Sequence, residues 1–141
     1  PKALSMTVEF ILNRDMVEVL EAKELDLEKL RKVAAEMKRW AFIRDKENLS
    51  YVASQKINEL MTDFVRHPQN AASMKILCEL MEILQPLALP LDLWQTQNVY
   101  FAMAKDIYGP MRQLAEKSDK HAQGWVTLFN QLGKYLKVKN L

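Results

Sequence analysis

The chain has 141 residues, 49% of them hydrophobic, which is enough for one sizeable core and makes a single domain over residues 1–141 the expectation. Charged residues make up 27% and nearly balance, leaving a net charge of +2, which excludes the basic excess of a dedicated nucleic-acid binder. Three Gly and five Pro are too few for the many special turns of a β-sandwich and suit long helices with little punctuation.

The first segment, roughly residues 3–22, places Leu4, Val8, Ile11, Leu12, Met16, Val19 and Leu20 at three- and four-residue spacings, one face of a helix. With no polar leader before that stripe, Pro1 is expected to be a domain boundary within a longer protein. Asp26 is a suitable N-cap for a second helix, whose stripe runs Leu27, Leu30, Ala34, Met37 and Ala41, widened by Val33 and Trp40. Its opposite face carries Lys29, Arg31, Lys32, Lys38 and Arg39 beside Glu28 and Glu36, and reads as a solvated surface. After a charged turn around Arg44 to Asn48, a third helix built on Leu49, Val52, Ala53, Ile57, Leu60, Met61 and Phe64 should end near His67-Pro68, because the residue before proline disfavours helix.

A fourth helix runs to about Gln85 and leaves mainly Lys75, Glu79 and Glu82 polar, the pattern of a helix with several packed neighbours. The connector from Pro86 to Leu91 holds two prolines and is expected to run extended with its leucines packed inward. Asp92 followed by Gln95 matches a capping box and should open the next helix. That helix carries Trp94, Tyr100, Phe101, Ala104 and Ile107, and Gly109-Pro110 is expected to break it before a short helix around Met111 to Lys117. A last helix holds Trp125, Leu128, Phe129, Leu132 and Leu136 and runs into a lysine-rich tail, Lys134 to Lys139. The sum is an all-α fold, a helical bundle of about six to seven antiparallel helices.

The single cysteine, Cys78, has no partner for an internal disulfide and fits a reducing, cytoplasmic compartment. The longest apolar stretch, Leu84 to Trp94, is broken by Pro86, Pro90 and Asp92, so no membrane partner is expected. His67 and His121 stand in separate segments, outside any two-ligand spacing, and no metal or cofactor is expected. There is no glycine-rich phosphate loop, nucleophile elbow or Cys/His pair, and no two carboxylates stand out as acid and base. The chain therefore reads as non-catalytic.

The segment Leu91 to Phe101 is the exception to this blandness. On a helix Gln97 shares a face with Trp94, Tyr100 and Phe101, which sets an amide among aromatics. One account has Gln97, with Asn98, bonding the unpaired backbone of the Pro86–Pro90 connector, and Trp94 and Trp125 serving as core residues. The other makes the segment a contact with a neighbouring domain or a polyhydroxylated ligand.

Asp92-Leu93-Trp94, with Gln97-Asn98 and Tyr100-Phe101 behind it, resembles a signature near the C-terminal end of proteins similar to glycoside hydrolase family 57, the α-amylase and α-mannosidase type. Pro1 to Asn13 and Trp125 to Val138 are similar to the same region, so the resemblance covers nearly the whole chain. In such proteins a deacetylase-like barrel carries the catalytic carboxylates and a helical region follows it. The resemblance thus implies an accessory domain whose partner is the upstream catalytic domain of the same polypeptide, with glycan reached through that domain. Asp92, Trp94, Gln97, Asn98 and Tyr100 become the candidate interface or ligand contacts. The competing reading is an independent helical module that binds a protein partner through an exposed groove.

Overall fold

The computed structural model describes residues 2–40 and 45–137. Ala41 and Arg44, assigned above to a helix end and a turn, lie outside the described residues, as does the tail beyond Lys137. The protein is all-α, with no strand among the described residues. Its elements are α1 (Lys2–Glu21), α2 (Leu27–Trp40), α3 (Lys46–Arg66), α4 (Ala72–Leu84) with a 3-10 turn at Gln85–Leu87, α5 (Trp94–Met103), a π turn (Ala104–Tyr108), α6 (Gly109–Glu116) and α7 (Lys120–Tyr135).

Short polar side chains start most of these helices by accepting a free backbone amide of the first turn. Asp26 accepts from Lys29 at 3.1 Å, Asp45 from Asn48 at 3.1 Å, Asn70 from Ala72 at 3.0 Å and Asp119 from Ala122 at 2.9 Å. Asp119 also closes the helix before it. Ser118 turns left-handed at φ 68°, its amide bonds Ala115 O at 3.1 Å, and the Asp119 amide bonds Leu114 O at 3.2 Å, the paired bonds of a Schellman end. α3 stops at Arg66, directly before His67-Pro68, as the proline requires.

The chain divides into two compact units, Pro1–Lys56 with Leu80–Asp92, and Ile57–Glu79 with Leu93–Leu141. The division falls inside α3 and α4. In the first unit α1 packs on α2 across the short connection at 22–26. Met16, Val19 and Leu20 of α1 meet a core that includes Leu30 and Met37 of α2 and Leu49 of α3. Lys56, only 4% exposed, donates from Nζ to Ala22 O at 2.9 Å, so a long side chain satisfies a carbonyl just past the end of α1. The stripe expected along α1 is buried only in its second half. Leu4 and Ile11 are exposed, and so are Met6 and Phe10.

The connector does not simply run extended. Gln85–Leu87 continues α4 as a 3-10 turn with Pro86 inside it, where the missing amide is tolerated, and Ala88 at φ 51° ends it. Leu87 is buried as expected, while Leu89 and Leu91 are half-buried. The capping box at Asp92 does not form: α5 begins at Trp94 with Leu93 at the N-cap position and no side-chain cap. The Asp92 backbone amide is instead drawn to Ser54 Oγ at 3.0 Å, within the first unit, which fixes the chain before the helix can start.

The second unit is centred on aromatics. Phe129 stacks on Tyr100 at 4.2 Å and on Trp125 at 4.8 Å between ring centres, with interplanar angles of 11° and 9°. Trp125 Nε1 donates to Pro68 O at 2.6 Å and His121 Nε2 lies 2.8 Å from Gln69 O, so the turn after α3 is held against α7. Gly109-Pro110 does not break the helix. Gly109 is helical at φ −57°, ψ −54°, and the π turn just ahead widens the ladder where Pro110 lacks its amide and its ring would strike the carbonyl of Asp106.

Candidate functional site

α5 is where the sequence concentrates its unusual side chains, and the structure sorts them onto two faces of one helix. Thr96, Gln97 and Tyr100 point into the second unit. Thr96 is 1% exposed and its hydroxyl bonds Asn58 Oδ1. Gln97 Nε2 donates to Leu136 O at 2.6 Å. Tyr100 is fully buried, stacked on Phe129, and donates its hydroxyl to Phe129 O at 2.8 Å.

The amide of Gln97 therefore does satisfy backbone, but at the end of α7 and not in the Pro86–Pro90 connector. Leu136 is the residue capping α7, and the carbonyls of a helix's last turn have no partner within the helix. Lys137, left-handed at φ 59°, ends the helix there. Thr96, which the sequence reading passed over, is the most deeply held polar residue of the segment. Its signal was a hydroxyl four residues before Tyr100, on the same helical face.

The outer face is Trp94, Asn98 and Phe101, at spacings of four and three residues. Trp94 is 72% exposed and Phe101 44%, with Asn98 exposed between them. Assigning Trp94 to the core is thus incorrect: the inward positions of α5 fall at Thr96 and Tyr100, and Trp94 stands on the opposite side. Trp125 is a core residue as expected. The two outer rings stand about 10 Å apart along the helix axis. Asp92 belongs to the other compact unit.

Burial pushes the Tyr100 hydroxyl well above its ordinary range, with smaller contributions from Tyr108 and Cys78, so it stays protonated and serves as a donor. Cys78 is raised to about 11, first by burial and then by the charge of Glu79, which leaves a thiol and not a nucleophilic thiolate. Its Sγ lies 3.7 Å from Leu128 O. The inner face is thus occupied with holding α5 in place, and the outer face offers rings and an amide for contact.

No protein-family model, curated protein or solved structure matches the chain. Among the described residues no helix is long and apolar enough to cross a membrane.

Proposed function

We propose that this chain is a non-catalytic accessory helical domain of a cytoplasmic protein similar to glycoside hydrolase family 57, and that it docks on the catalytic barrel of the same polypeptide through the outer face of α5. One observation carries this reading. α5 carries aromatic rings on both sides, with Tyr100 fully buried and Trp94 and Phe101 turned outward. Large aromatic side chains turned outward on one helix face mark a surface suited to packing against another domain. Trp is also the residue type most enriched among side chains that dominate protein interfaces. The resemblance of Asp92 to Phe101 to the family's signature supplies the identity of the partner, and the single cysteine supports the compartment.

The test is association of the isolated chain with the separately produced upstream catalytic domain, followed by titration calorimetry. Wild type should bind, and the Trp94→Ala/Phe101→Ala double variant should bind at least tenfold more weakly while retaining its far-ultraviolet circular dichroism. Unchanged affinity in that variant would overturn the reading.

A further inference from the structure

We draw no further inference here: the strongest candidate, the apolar groove that Met6, Phe10 and Val17 line along α1, carries none because nothing in the structure shows what covers it.

Discussion

Replacing Gly133 with alanine probes the point where α7 comes closest to α5. A Cβ built on Gly133 would fall on the Tyr100 hydroxyl oxygen and within 2.9 Å of Tyr100 Cζ. Tyr100 cannot retreat easily, because it is fully buried, stacked on Phe129 at 4.2 Å and bonded to Phe129 O at 2.8 Å. Forcing an extra methyl into such a site costs about 1–3 kcal/mol. Displacing the hydroxyl from its acceptor adds about 1 kcal/mol, and the better helix propensity of alanine returns about 1 kcal/mol. Gly133→Ala should therefore destabilise the fold by about 1–3 kcal/mol. Urea unfolding followed by circular dichroism measures this directly, as a lowered midpoint at unchanged slope. In a Tyr100→Phe background the obstructing oxygen is gone, and the cost of Gly133→Ala should fall by about 1 kcal/mol. A midpoint at or above wild type, or an identical cost in both backgrounds, would refute the reasoning.

Gln97→Leu removes the donor to Leu136 O and should destabilise by about 1–2 kcal/mol, seen as a lower urea midpoint; amide exchange should also quicken in the last turn of α7. Alkaline pH should destabilise the protein. The Cys78 thiol is raised from 9.0 to about 11 in the folded state, so folded chains keep a proton that unfolded chains release. Its contribution is complete below pH 9 and is lost as the pH rises toward 11, and the raised Tyr100 acts in the same direction. Urea midpoints across this range check the sign, and Cys78→Ala should flatten the profile. Cys78 should also react with a maleimide far more slowly in native protein than in urea.

The helical class and most helix limits were legible because they depend on local chemistry. Asp26 caps α2 and Pro68 stops α3 through atoms within a few residues of each helix end. Misjudged features depended on competition from elsewhere in the fold. Asp92 satisfies every local criterion for a cap, yet its backbone is committed to Ser54, a residue far away in sequence. Trp94 is exposed because packing in the second unit turns Thr96 and Tyr100 inward, which the local sequence around Trp94 does not reveal. For Gln97 the need for a backbone partner could be read from its aromatic setting, but the identity of Leu136 as that partner is a tertiary fact. Gly109-Pro110 carries the usual signal for a break, and only the π turn upstream lets the helix pass through it.

That π turn has a consequence for the phase of the helix. A π turn takes in about one residue more than the α turn it replaces, so the residues after it are rotated by about 100° relative to a continuous count from α5. Counted without it, the inward series from Tyr100 would pass through Ile107 and reach Leu114. With it, Tyr108 comes to lie 5.5 Å from the Phe129 ring and Leu114 is turned outward at 45% exposure. The five residues Ala104–Tyr108 thus act as a rotary offset that selects which side chains α6 presents to the aromatic core. Shortening them by one residue would turn α6 by about 100° and present a different set of its side chains to that core, without altering a single residue within it.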